Sequence, residues 1–131
     1  MSISRDGSLM SVMVLMSLVD GEIAETEIMR IRWIFERLTG RALGADDVAL
    51  VAEQVRADDT DLTPYLERLG EGLNLVDRRC VLKAAFGVAS ADGKVLDVED
   101  AMMVAVARAL RIEPEDYRSI ASHLMVAREF C

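Results

Sequence analysis

Asp20-Gly21-Glu22-Ile23-Ala24-Glu25-Thr26-Glu27 and Asp92-Gly93-Lys94-Val95-Leu96-Asp97-Val98-Glu99 are two copies of one phrase. Each reads Asp-Gly, a polar residue, a β-branched apolar residue, three variable positions and a Glu. The offset is constant, since 92 − 20 and 99 − 27 both equal 72. Upstream of each copy lies a helical stretch, the apolar run Leu9 to Val19 in one case and, in the other, Leu75 to Ala91, apolar through Val81, Leu82, Ala85, Phe86 and Ala89. Downstream of the first copy, Ile28, Ile31, Ile34, Phe35 and Leu38 recur at helical spacing. Ile31, Ile34 and Leu38 match Met103, Val106 and Leu110 at the same offset. A repeat that extends past a loop into its flanking helices predicts two related halves. The expected fold is all-α: a single compact bundle of about seven helices with an internal pseudo-two-fold repeat, the repeats falling around 9–40 and 75–112.

The remaining helices follow from their breaks. The first spans about Ser8–Val19 and the second Glu25–Thr39, with Gly40 and Gly44 marking a loop. Asp46 or Asp47 is expected to cap a third helix reaching about Ala57, with Val48, Val51, Ala52 and Val55 inward. Thr63-Pro64 opens a short fourth helix that Gly70 and Gly72 are expected to end. The fifth runs about Leu75–Ala91, the sixth Val98–Arg111, and Glu113-Pro114 starts a seventh that ends near Arg128. Proline at a helix start is inexpensive, because its fixed φ suits the first turn and its missing N–H would have no partner there. No linker or low-complexity tract interrupts the series, so residues 1–131 read as one domain.

Composition excludes several classes. Apolar residues make up 52% of the chain, enough for a core at this length, while aromatics are only 5%, which favours close helix packing. The net charge of −8 and the scattered Lys and Arg argue against nucleic acid. Arg78-Arg79 and Arg30-Ile31-Arg32 read as solvated helix faces. Cys80 reads as a small buried hydrophobe and Cys131 as a terminal residue, with no metal or disulfide spacing between them, so a reducing, cytoplasmic setting is expected. Leu9 to Val19 resembles the apolar part of a signal peptide, but no small-x-small cleavage site follows. At eleven residues it also falls short of the roughly 20 needed to span a bilayer, so a central buried helix is expected and no transmembrane segment.

The candidate chemistry is carboxylate chemistry. The last eight positions of an EF-hand calcium loop are acid, Gly, x, apolar, x, x, x, Glu, and both phrases fit that half. The ligand positions two and four residues before each acid are Met16 and Leu18, then Val88 and Ser90, and three of those four offer no side-chain oxygen. Each loop thus supplies one Asp, one Glu and backbone carbonyls, against the six to eight oxygens calcium takes. The chain is not an EF-hand. The other reading is architectural: Gly21 and Gly93 end helices, and Glu27 and Glu99 lie where a carboxylate accepts orphan N–H groups of the next helix. Ala24 and Leu96, at the capping position itself, have no side chain able to cap.

Leu18-Val19-Asp20-Gly21-Glu22-Ile23 with Glu27, and Ala91-Asp92-Gly93-Lys94-Val95 with Glu99, resemble the TerB family, named for tellurite resistance. The likeness runs from about Leu9 to Leu124, and the second copy, ending in Val104-Ala105-Val106-Ala107-Arg108-Ala109-Leu110, is the more typical. Similar domains occur in membrane-attached J-domain co-chaperones. The resemblance implies an all-helical fold, a cluster of acids from the two Asp-Gly loops, and a stress-response assembly with protein partners near the inner face of the membrane. Carried over by position, the family's acids fall on Asp20, Glu27, Asp92 and Glu99, which implies a divalent cation, Ca2+ first and Mg2+ or Mn2+ next. Ala24 and Leu96 stand where the family often has a polar residue, which thins that metal shell.

The remaining residues add little chemistry. His123 is the sole histidine, and without a Gly-x-Ser-x-Gly or a Gly-rich phosphate loop no enzyme is expected. Met10, Met13 and Met16 form a stripe read as core filling, or else as an adaptable partner groove. Trp33 and Tyr117 are expected to be half-buried. Two readings stand: a cation-binding module, or a purely structural protein–protein interaction domain whose acids cap helices.

Overall fold

The long apolar run near the start decides how the helices pack. In the computed structural model, which describes residues 5–18, 23–89 and 97–127, it forms α1 (Arg5–Leu18). Leu9, Val12, Met13 and Val14 are fully buried, and Ser8, Leu15, Met16 and Ser17 nearly so. A helix apolar all round has no face suited to water and becomes the centre of a core. Accordingly α1 packs against α2 (Glu25–Thr39), α3 (Ala45–Ala57), α4 (Leu62–Gly72) and α5 (Leu75–Ala89). Each fully buried Leu or Val there contributes on the order of 1.5–3 kcal/mol of transfer free energy, an upper figure because unfolded chains already bury some surface. Among the described residues no helix is long and apolar enough to cross a membrane.

The amphipathic helices cover this centre. α2 turns Ile31, Ile34 and Phe35 inward, with Ile28 and Leu38 packed at the margin. Gly40 ends it at φ 74°, and its N–H donates to the Glu36 carbonyl at 2.8 Å. Glycine adopts that left-handed conformation at no Cβ cost, which is why the helix stops there. α3 buries Val48, Ala52 and Val55, as the spacing predicts. Two further helices, α6 (Asp97–Ala109) and α7 (Pro114–Ala127), bring the described residues to an all-α fold of seven helices, with α6 packing on α4, α5 and α7.

Burial repeats at the same offset of 72 as the loop phrase. Leu9, Val12, Met13 and Val14 correspond to Val81, Ala84, Ala85 and Phe86, and all eight are buried. Ile31, Ile34 and Phe35 correspond to Met103, Val106 and Ala107, again all buried. The described elements share one continuous core.

Several expectations are corrected. Gly70 does not end α4; it is a buried helical residue, and the helix runs on to Gly72. Neither Asp46 nor Asp47 caps α3. The capping position is Gly44, and Asp47 reaches back from the first turn to accept the Gly44 N–H at 3.0 Å. α5 starts with a side-chain cap that the sequence reading passed over, Asn74 Oδ1 accepting the Asp77 N–H at 2.9 Å. Trp33 is 41% exposed and Tyr117 only 6%, so neither is half-buried. Met13 and Met16 fill the core as expected, while Met10 packs at its edge.

Candidate functional site

Of the four acids singled out in the sequence, Glu27 is placed. It lies in the first turn of α2, and its Oε1 accepts the Ala24 N–H at 3.1 Å. This is one half of a capping box. The reciprocal half is missing because Ala24 has no side-chain acceptor, so the Glu27 N–H bonds the Ala24 carbonyl instead, at 3.0 Å. Asp20 and Asp92, with both Asp-Gly turns, lie outside the described residues. Glu99 sits in the first turn of α6, and its side chain lies outside the described part of the chain, as does that of His123 in α7. Cys131 is also outside it. Among the described residues no three His, Cys, Asp or Glu side chains form a metal-sized group. Glu27 engages only Oε1 in its helix bond.

Cys80 is half-buried against the core rather than fully enclosed. Burial pushes its thiol pKa up, with Arg5 and Lys83 pulling the other way. A thiol so shifted stays protonated near neutral pH and makes a poor nucleophile or metal ligand. At the start of α1, the Arg5 guanidinium is held more strongly protonated than usual by its hydrogen bond to Asp6.

The elbow joining α6 to α7 is heavily braced, and nothing in the sequence pattern announced it. Arg78, expected on a solvated face, instead turns its guanidinium onto backbone carbonyls. Its Nε donates to Leu73 O at 3.1 Å, and its Nη1 to Leu110 O at 3.2 Å and Arg111 O at 2.8 Å. Those last two carbonyls follow the end of α6, where the chain leaves the helix with Arg111 at φ 57°. A planar fork that reaches both turns at once fixes their separation. Arg79 pairs with Asp116 of α7 at 3.1 Å, and Arg111 with Glu71 of α4 at 3.1 Å. Arg32, also expected on a solvated face, donates from Nε to the Leu43 carbonyl at 2.8 Å. Gly70 completes the bracing, because a Cβ placed on it would stand 2.7 Å from the Ala109 carbonyl oxygen.

Beside this elbow, α6 and α7 enclose a groove of about 320 Å³. Val104, Ile112 and Tyr117 provide apolar lining, and Arg108, Arg111 and Arg118 stand with Glu113 around it. The only sequence signal for it was a set of arginines at positions 108, 111 and 118, which read singly look like ordinary surface charge.

An all-helical domain with an apolar helix at its centre and a sequence that twice carries the acidic Asp-Gly phrase defines a class of small helical modules. The chain belongs to the TerB family: the family model described as tellurite resistance protein TerB matches residues 7–122. That match covers every described helix except the two ends, the first residues of α1 and the last of α7. No curated protein and no solved structure matches the chain significantly.

Proposed function

We propose that this chain acts by binding rather than catalysis, as a stress-response module in which Asp20, Glu27, Asp92 and Glu99 take a divalent cation. The observation that supports this reading is the double repeat. The acids recur at an offset of 72 residues, and so does the burial of the helices that flank them, α1 with α5 and α2 with α6. Four carboxylates from two equivalent loops supply the hard oxygen donors that Ca2+ favours, and Mg2+ or Mn2+ less readily in so flexible a set. The bound cation would join the two loops and present a surface to a protein partner, in the cytoplasm or at the inner face of the membrane.

Glu27 favours a second reading. Its reach-back bond to Ala24 gives that acid a structural task with no cation present. On this reading the loops only shape helix ends, and the exposed Met29 and Trp33 of α2 belong to the partner-binding face.

Calorimetric titration of chelator-stripped protein with calcium, magnesium and manganese separates the two. Saturable heat that disappears in the Asp20→Asn, Asp92→Asn double variant, with helicity intact, supports the cation site. No heat and no shift in melting temperature at millimolar ion would leave the structural reading.

A further inference from the structure

We propose that the α6–α7 groove is a second binding site, independent of the Asp-Gly loops, for a small monoanionic carboxylate carried on an apolar body. Size comes first. At about 320 Å³ the groove falls at the small end of the roughly 300–1,000 Å³ range of ligand pockets. Such sites combine apolar lining with a few placed polar groups, and this one is lined by Val104, Ile112 and Tyr117 together with Arg108, Arg111 and Arg118.

Charge sets the class of ligand. Three arginines gather here on a chain whose net charge is −8. Arg111 is paired with Glu71, which lies outside the lining, and Glu113 stands on the rim. Among the described side chains three positive groups are thus set against two carboxylates, and one positive charge is left over. Arg108 and Arg118 form no ion pair among the described residues and are free to take a carboxylate in bidentate fashion. A single surplus charge matches a carboxylate better than a doubly charged phosphate. The apolar lining disfavours small hydrophilic ions such as acetate.

The walls are also set in advance. Arg78 ties the two carbonyls of the elbow to α5, Gly70 lets α4 lie directly against the end of α6, and Glu71 anchors Arg111. A ligand entering a groove already held open loses less affinity to ordering its walls.

The test is an NMR titration of the 15N-labelled protein with octanoate, octan-1-ol and acetate. Octanoate is expected to give saturable shifts at the amides of Val104, Ile112 and Tyr117, with octan-1-ol and acetate at least ten-fold weaker. The Arg108→Gln, Arg118→Gln double variant, altered only at exposed positions, is expected to keep its melting curve and lose at least ten-fold in octanoate affinity. Binding of the alcohol as tight as that of the acid would overturn the proposal. So would full retention in the double variant, shifts mapping elsewhere, or no saturation by several millimolar octanoate. Tighter binding of a short peptide ending in a free Leu carboxylate would overturn the assignment to a free small molecule.

Discussion

Replacing Gly70 with alanine sets two effects of opposite sign against each other, and the packing of α4 on α6 decides which wins. Gly70 is a helical residue, and glycine inside a helix is worth about 0.5–1 kcal/mol less than alanine, so an open site would be stabilised by the change. Here the new Cβ would stand 2.7 Å from the Ala109 carbonyl oxygen, 3.2 Å from the Leu110 carbonyl carbon and 3.3 Å from Arg111 Cγ. Non-bonded heavy atoms rest comfortably at roughly 3.5–4.0 Å, so the shortfall against backbone approaches ~0.8 Å. The Arg111 side chain can swing away, but Ala109 and Leu110 lie at the end of α6, where Arg78 grips the Leu110 carbonyl. Overpacking of this kind costs about 1–3 kcal/mol. Because the clash is with backbone that cannot swing away, the upper part of that range applies, which leaves a net loss of up to ~2.5 kcal/mol after the helix gain. Urea unfolding followed by circular dichroism should show a lower midpoint at unchanged slope. Gly70→Val should lose more than Gly70→Ala, since it adds bulk at the same point. A Gly70→Ala variant as stable as the parent, or more so, would refute the close approach of α4 to α6.

Two further substitutions test the groups that hold the ends of helices. Arg78→Ala removes a guanidinium from three carbonyls in one step and is expected to cost ~2 kcal/mol, with hydrogen bonds to a charged donor weighted down for partial exposure. Arg78→Lys should recover less than half of that in the same urea experiment, because one ammonium cannot reach both turns. Glu27→Ala removes the reach-back bond at the start of α2 and should cost about 0.5–1 kcal/mol in thermal unfolding, while Glu27→Gln keeps an acceptor and loses less. If Glu27→Ala leaves stability unchanged, the carboxylate has no capping role.

The sequence made the helices legible because each carries its own local evidence. Ile31, Ile34 and Phe35 announce the buried face of α2 by spacing alone, and Gly40 announces its end. The centrality of α1 was legible from a run with no polar face to offer water. What failed was anything that needs a neighbour distant in sequence. Gly70 looks like a terminator when read in its own helix; its true reason is the Ala109 backbone, which sequence does not place beside it. Arg78 looks like surface charge because two of its three acceptors are carbonyls more than thirty positions away, and carbonyls are the same in every residue. Trp33 and Tyr117 were assigned the same half-burial from residue type, yet one lies outside and the other inside. The candidate acids were legible as a pattern; Glu27, the one whose side chain is among the described residues, has a contact that shows what it does. The α6–α7 groove was not legible, because its arginines converge only once two helices have packed.

Trp33 has a practical consequence for every unfolding experiment on this protein. It is the sole tryptophan, already 41% exposed, with the guanidinium groups of Arg30 and Arg37 at 5.8 and 5.2 Å from its ring. Its emission maximum in the folded state should therefore sit close to that of a solvated indole and shift little on denaturation. Fluorescence wavelength will be a poor thermometer for the core, whose loss must be followed by ellipticity. The same property makes Trp33 a sensitive local reporter. Any molecule that covers the outer face of α2 will blue-shift the indole or displace its two flanking cations, and so announce its arrival without a label.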